Sequence, residues 1–178
     1  SRPIGATPMT DNGIQQDKEP RRRLGCVVVT TRKDTGAVLT VQTTYRKNPI
    51  LPGGAAHPNE LIGAAAAREL LEELGLTLPL THFIAVDQMD ANKQSGAVEG
   101  INIVLDGGQL SADQADAVSV PDTDAARQEI ADVLWILPEH LDRALDPEQA
   151  ARVRQALAAR AAGHRLPLLF RGEPTGSP

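Results

Sequence analysis

Three glutamates, Glu69, Glu72 and Glu73, fall within five positions of the run from residue 60 to 76, ELIGAAAARELLEELGL. On a helical wheel they share an arc of about 100°. Like charges at that spacing repel by a few tenths of a kcal/mol per pair. The positions four residues further on hold Glu73, Leu76 and Thr77, so no cation downstream relieves them. They also lie in the last turns of the expected helix, where the backbone dipole disfavours negative charge. A divalent cation would offset both costs, and carboxylate oxygens with retained waters are the ligands that Mg²⁺ or Mn²⁺ prefers. The competing reading is a solvated acidic face without function, which charge runs commonly are. The wheel puts Leu70, Leu71, Leu74, Ala64 and Ala67 on the other side. It therefore predicts an apolar face toward the core and an acidic face outward, with the small Ala65 and Ala66 leaving room beside the acids.

The spacing extends beyond the helix. Gly54, five residues, Glu60, seven residues and then Arg68-Glu69-Leu70-Leu71-Glu72-Glu73-Leu74-Gly75-Leu76 resembles the Nudix box at all nine of its defined positions. The resemblance implies an α/β fold, an α/β/α sandwich with a mixed sheet and a catalytic loop-helix-loop. It implies hydrolysis of a nucleoside diphosphate linked to another group, with Mg²⁺ or Mn²⁺ as cofactor. Carried over by position, Glu73 is the principal metal ligand, Glu69 and Glu72 complete the carboxylate set, and the Gly53 carbonyl is a further ligand. Arg68 and Glu60 form an ion pair that holds the loop onto the helix, and Gly75 stops the helix in the left-handed conformation. The family often draws one more acid from a loop before its last strand. Glu129 stands at such a place as ligand or general base, and Asp132 competes for the part.

The chemistry suits the residues. Metal held by the acids would neutralise phosphate oxygens and lower the pKa of a bound water, and a glutamate outside the metal's grip would take the proton. Arg46 and Lys47, ahead of the turn 51–54, are the candidates to bind substrate phosphates. The proline or tyrosine that marks two of the family's subgroups downstream of the box does not appear around 90–94 (DANKQ), nor does a coenzyme A-type motif in 43–51. The expected substrate is accordingly a small nucleotide such as a nucleoside triphosphate. The alternatives are a nucleotide-sugar or ADP-ribose pyrophosphatase and a nucleotide-sensing module without turnover. Isomerase chemistry on an isopentenyl diphosphate would want a cysteine near the site, and Cys26 lies in an early strand. The four histidines, His57, His82, His140 and His164, are too scattered for a zinc site. Trp135, in an apolar strand, is read as core before base stacker.

The elements that must position these residues follow from the pattern. The chain has 178 residues, 41% of them apolar and 2% aromatic, so its core rests on Val, Leu, Ile and Ala. Residues 1–23 are polar and aperiodic and read as a mobile leader, and a methionine at Met9 leaves open whether residues 1–8 are native. A single domain is expected over 24–170 and a mobile tail over 171–178. Strands are expected at 25–31, 37–43, 83–88, 100–105 and 133–137, the first two forming a hairpin around Lys33-Asp34-Thr35-Gly36. Residues 51–54 read as a turn and 106–127 as a surface loop. A helix capped by Asp146, with Pro147 at its first position, runs to Gly163 and packs on the sheet.

A net charge of −5 gives no case for a nucleic-acid polymer as partner, and the run Arg21–Arg23 is too short for such a footprint. No apolar stretch approaches a membrane span. The lone Cys26, within an apolar run, reads as a buried, inert thiol. A soluble, cytoplasmic protein with a small-molecule nucleotide substrate is expected, with a homodimer through the last strand or last helix as an option.

Overall fold

The computed structural model describes residues 20–175. The expected leader therefore lies almost wholly outside the described residues, and its last residue, Arg23, opens the first strand rather than preceding it. In chain order the elements are β1 (Arg23–Arg32), β2 (Val38–Thr43), β3 (Gly53–Ala55), α1 (Ile62–Leu74), β4 (His82–Met89) and β5 (Gly100–Leu110). They continue with α2 (Ala112–Asp116), α3 (Asp124–Glu129), β6 (Ile130–Ile136), α4 (Leu141–Ala144), α5 (Pro147–Ala161) and three two-residue strands, β7 (Leu166–Pro167), β8 (Leu169–Phe170) and β9 (Glu173–Pro174).

The main sheet runs β6-β2-β1-β5-β4-β7, with β3 added to β1. Only β1 and β5 pair in parallel, so the sheet is mixed, as the irregular alternation of strands and helices implied. Strand β1 is central, and its apolar run is continuous because both faces are covered. Cys26 and Val28 pack with Ala65, Ala66, Leu70 and Leu74 of α1 on one side. Val29 packs with Leu141, Leu145, Ala150, Val153 and Ala156 on the other, where α4 and α5 lie. Helices thus cover both faces of the sheet, and α1 is clamped against its centre.

Several local expectations are corrected. Residues 53–55 are not a turn but the short strand β3, paired with β1 at Gly25, Cys26 and Val27. This strand forms because Gly53, at φ +135°, has no side chain to collide with the Cys26 carbonyl and the Val27 backbone. The surface loop expected over 106–127 is replaced by the end of β5 and two short capped helices. Ser111 and Gln114 form a reciprocal capping box at α2, and Thr123 accepts from the Ala126 N–H at α3. Both motifs were readable in the sequence and were masked by the Gly, Asp and Ser content around them. Asp146 precedes α5 without capping it, because its carboxylate accepts from the Asn48 Nδ2 at 2.7 Å. Residues 169–174 form the hairpin β8–β9 where a tail was expected from 171.

The Lys33–Gly36 hairpin is present: the Arg32 N–H donates to the Ala37 carbonyl and the Gly36 N–H to the Arg32 carbonyl, both at 2.9 Å. Cys26 is fully buried, and burial pushes its thiol up to about 11, an inert side chain. Among the described residues no helix is long and apolar enough to cross a membrane.

Candidate active site

The largest correction concerns α1. The acidic arc does not face outward: Glu73 is 5% exposed, Glu69 is partly buried, and only Glu72 of the three is open to solvent. Ala65 and Ala66 leave no space beside the acids, since both are fully buried in the core. Leu71, assigned to the apolar face, is 57% exposed. The wheel gave the right angular order and the wrong orientation. Helix α1 packs against β3 as well as the sheet, so its buried arc (Ala65, Ala66, Leu70, Glu73 and Leu74) is turned toward the acids.

That rotation aims the carboxylates at the glycines of β3. The Gly53 N–H donates to Glu73 Oε2 at 3.2 Å. A Cβ at Gly54 would collide with the Glu69 carboxylate. The bare Gly54 leaves the space that the Glu69 carboxylate occupies against the strand. Downstream, Gly75 takes φ 59° and ψ 21°, and its N–H donates to the Leu70 and Leu71 carbonyls, closing the helix.

Arg68 organises the polar side of the site. Its Nε donates to Glu60 Oε2 at 2.9 Å and its Nη2 to Glu60 Oε1 at 3.0 Å, a two-pronged contact. Nη2 also reaches the Ala55 carbonyl at 3.3 Å, tying the loop to β3. Its Nη1 donates to Glu69 Oε1 at 3.0 Å and to Glu72 Oε2 at 3.4 Å. The cation missing downstream of the acids thus comes from upstream. Arg68 stands four residues before Glu72, a signal the sequence carried and the downstream search passed over. Glu60 also accepts from the His57 N–H at 3.0 Å. These donors, Arg68 foremost, hold the Glu60 carboxyl down at about 2.

Glu73 is the opposite case. Burial pushes its carboxyl up to about 8, opposed by the single Gly53 N–H and reinforced by the charges of Glu69, Glu129 and Glu72. Glu69 is also raised, by burial first, with Arg68 opposing and Glu72 and Glu129 adding. Among the described residues no ion pair reaches Glu73. Nor do any three His, Cys, Asp or Glu side chains there form a ready-made cation cage. Glu69 and Glu72 are drawn to Arg68 instead. The groups gathered at this end of α1 are carboxylates, one of them buried without a cation, and such oxygen donors fit a hard divalent ion.

Glu129, the last residue of α3, is close enough to charge both Glu69 and Glu73, whereas Asp132 turns its carboxylate to the Val133 N–H at 2.8 Å. Arg46 and Lys47 are exposed on the segment between β2 and Ile50. The segment is fastened beside Glu129: the Thr44 N–H donates to the Glu129 carbonyl at 2.9 Å and Thr44 Oγ1 to the Gln128 carbonyl at 2.7 Å. Thr44 as the fastener was not legible in the sequence. Trp135 is half-buried against the core, with the Arg32 guanidinium 5.6 Å from its ring centre.

A family model described as the NUDIX domain matches residues 20–158. The chain belongs to the NUDIX family. Among curated relatives, the human diphosphoinositol polyphosphate phosphohydrolase 3-beta is 27% identical over 100 residues, 56% of this chain and 59% of that protein. The rat diphosphoinositol polyphosphate phosphohydrolase 2 is 27% identical over the same length, covering 54% of its chain. The NUDIX chain thus spans somewhat over half the length of the curated relatives it matches. Among solved structures, the MutT protein of Methanosarcina mazei Go1 superposes with a TM-score of 0.60 at 19% identity, covering 82% of this chain and 97% of that one. The NUDIX domain of Shewanella oneidensis NrtR, solved with ADP ribose, superposes with a TM-score of 0.60 at 15% identity, covering 84% and 98%. At these identities the likeness is one of fold, and it places the mixed sheet with flanking helices among NUDIX structures.

Proposed function

We propose that this chain is a divalent-cation-dependent hydrolase that cleaves a pyrophosphate bond in a nucleoside diphosphate bearing another group, with a nucleoside triphosphate or similar small nucleotide as substrate. The observation that carries the reading is Glu73: a buried carboxylate without a cation, surrounded by three further glutamates. A fold keeps such a group ionised at a cost of several kcal/mol unless something positive binds it.

Glu69, Glu72, Glu73 and the Gly53 carbonyl would hold Mg²⁺ or Mn²⁺, with Glu129 as a further ligand. Bound there, the ion supplies neutralisation of phosphate oxygens and a water of lowered pKa. The remaining work falls to the protein. Arg68, locked by Glu60, orients Glu69 and Glu72 and keeps the loop 55–60 against the helix. Gly53 and Gly54 leave the face of β3 bare, so a diphosphate can approach the carboxylates closely. Arg46 and Lys47, held beside Glu129, meet the charge of the outer phosphates. A carboxylate of the set, with exposed Glu129 the best placed, takes the proton from the attacking water.

A second reading comes from the curated relatives, whose names point to diphosphoinositol polyphosphates, and a third from the NrtR domain bound to ADP ribose. One screen separates them. Release of phosphate from nucleoside triphosphates, ADP-ribose, nucleotide sugars, dinucleoside polyphosphates and a diphosphoinositol polyphosphate is compared by kcat/KM with Mg²⁺ and with Mn²⁺. Nucleotides far above the rest support the proposal, and a diphosphoinositol substrate on top replaces it. Negligible turnover throughout, with nucleotide still bound, makes the chain a sensing module.

A further inference from the structure

We infer that Tyr45 is the aromatic platform on which the nucleobase of the substrate stacks, and that with Arg46 and Lys47 it forms a fixed base-and-phosphate clamp beside Glu129. The inference rests on the proposed nucleotide substrate and deepens it by naming the residue that recognises the nucleoside half.

Scarcity makes the assignment possible. The chain contains four aromatic side chains in all: Tyr45, Phe83, Trp135 and Phe170. Phe83 packs against the core beneath α1. Trp135 is half-buried there too, with the Arg32 guanidinium over its ring. Arg32 is itself held by Asp34 at 3.0 Å and Asp116 at 2.7 Å, so that ring is committed to a structural stack. Phe170 is exposed, but it belongs to the β8–β9 hairpin that follows β7, the edge strand four places from β2. That distance is about 19 Å at the usual strand spacing. Tyr45 alone remains at the acidic end. It is 67% exposed and immediately follows Thr44, whose backbone and side chain are bonded to Glu129 and Gln128.

The segment that carries Tyr45 is built to stay put. Val41 and Ile50 close its base with two backbone hydrogen bonds of 2.9 and 3.0 Å. Gln42 Nε2 crosses the loop to the Arg46 carbonyl at 2.7 Å, and the Arg46 N–H donates to Thr43 Oγ1 at 3.2 Å. Asn48 anchors the far side to Asp146. A loop so heavily tied down, yet presenting Tyr45, Arg46 and Lys47 to solvent, spends its hydrogen bonds on orientation rather than on burying anything. Ring stacking is tolerant of base identity, since every base offers a π-face, and is worth about 1–3 kcal/mol per base. The clamp therefore favours nucleotides over base-free pyrophosphates without choosing strongly among bases.

The test uses the full chain and its Tyr45→Ala and Tyr45→Phe variants with Mg²⁺. The probes are a 2-aminopurine ribonucleoside triphosphate with methylene bridges, read by fluorescence, and a methylene-bridged triphosphate lacking any nucleoside, read by calorimetry. The wild type is expected to quench the fluorophore, and Tyr45→Phe to match it within about twofold. Tyr45→Ala is expected to bind the nucleotide roughly tenfold more weakly, with the quench lost and affinity for the base-free probe unchanged. Equal nucleotide affinity in Tyr45→Ala, or equal loss for both probes, overturns the clamp. A wild type that binds only the base-free probe overturns it too while leaving pyrophosphate cleavage standing. Binding of neither probe, with no nucleotide cleaved in the screen, removes the nucleotide reading as well.

Discussion

Two buried carboxylates on opposite faces of the sheet behave in opposite ways. Asp106, on the α5 side, is 8% exposed and fully answered: Arg165 Nε stands 2.9 Å from Oδ2, Arg160 Nη1 stands 3.8 Å from Oδ1, and the Gly108 N–H donates to Oδ1 at 2.9 Å. Glu73, on the α1 side, is as deeply buried and receives one backbone N–H, with three glutamates nearby. Burial alone does not mark a site. An acid whose charge is met by arginines holds the fold together, whereas an acid left unmet among other acids is where the proposed cation would act.

The sharpest way to break the comparison is to remove each charge in turn. Glu73→Gln should lower Mg²⁺-dependent hydrolysis roughly 10²–10³-fold. Above about pH 8, where the wild-type acid is charged, it should also raise the stability of the metal-free protein, because the substitution removes an uncompensated buried charge. Asp106→Asn should leave kcat/KM within about twofold and cost about 2 kcal/mol. That is below the usual loss for a fully buried pair, since Arg165 is half-exposed. Denaturant melts and initial rates on both variants read this directly; a destabilised Glu73→Gln or an inactive Asp106→Asn would erase the distinction.

The second prediction concerns pH. The folded-state pKa of Glu73 is raised, so the folded chain prefers the protonated acid. Its contribution is fully present below about pH 4.5 and is lost as pH rises through about 8. In EDTA, stability should therefore fall across that window in the wild type and stay flatter in Glu73→Gln. Mg²⁺ must displace the proton, so its stabilising effect should grow over the same interval. Thermal melts at pH 5, 7 and 9, with and without Mg²⁺, supply the readout, and a wild type without pH dependence between 5 and 9 would remove Glu73 from this role.

The smallest effects are expected from the groups that position the acids. Arg68→Ala frees Glu60, Glu69 and Glu72 together and should cost about 10–100-fold in kcat/KM or metal affinity. Gly54→Ala should displace only the flexible end of Glu69, lowering activity by a lesser factor with little change in melting temperature. A Gly54→Ala variant that melts far lower would show instead that the helix–strand contact there is rigid.

Much of the site was legible in the sequence because its parts lie close along the chain. Residues 60–76 hold the Glu60–Arg68 contact, the acids and the Gly75 stop on one loop and one helix, so the resemblance to the family's spacing was enough to order them. The strands were legible for a similar reason: β-branched runs such as Val27–Val29 can be buried on both faces only in a central strand. The misreadings had a common cause. The wheel could rank the residues of α1 by angle, but which arc is buried depends on what the helix packs against, and β3 was hidden inside an apparent turn. Asp146 looked like a cap because nothing local reveals that Asn48, from a distant loop, competes for its carboxylate.

The sequence by itself determined the chemistry available: an arginine and four glutamates at family spacing, two adjacent glycines that permit close approach, and too few aromatics to leave much choice of base platform. Only the tertiary structure decided how that chemistry is tuned. The packing of α1 on β3 buries Glu73 and raises its carboxyl. The antiparallel pairing of β2 with β6 sets Thr44 beside Glu129, whose charge reaches Glu69 and Glu73. Spacing records which groups can share a helix, whereas desolvation and the approach of distant charges arise only when separate segments are packed together.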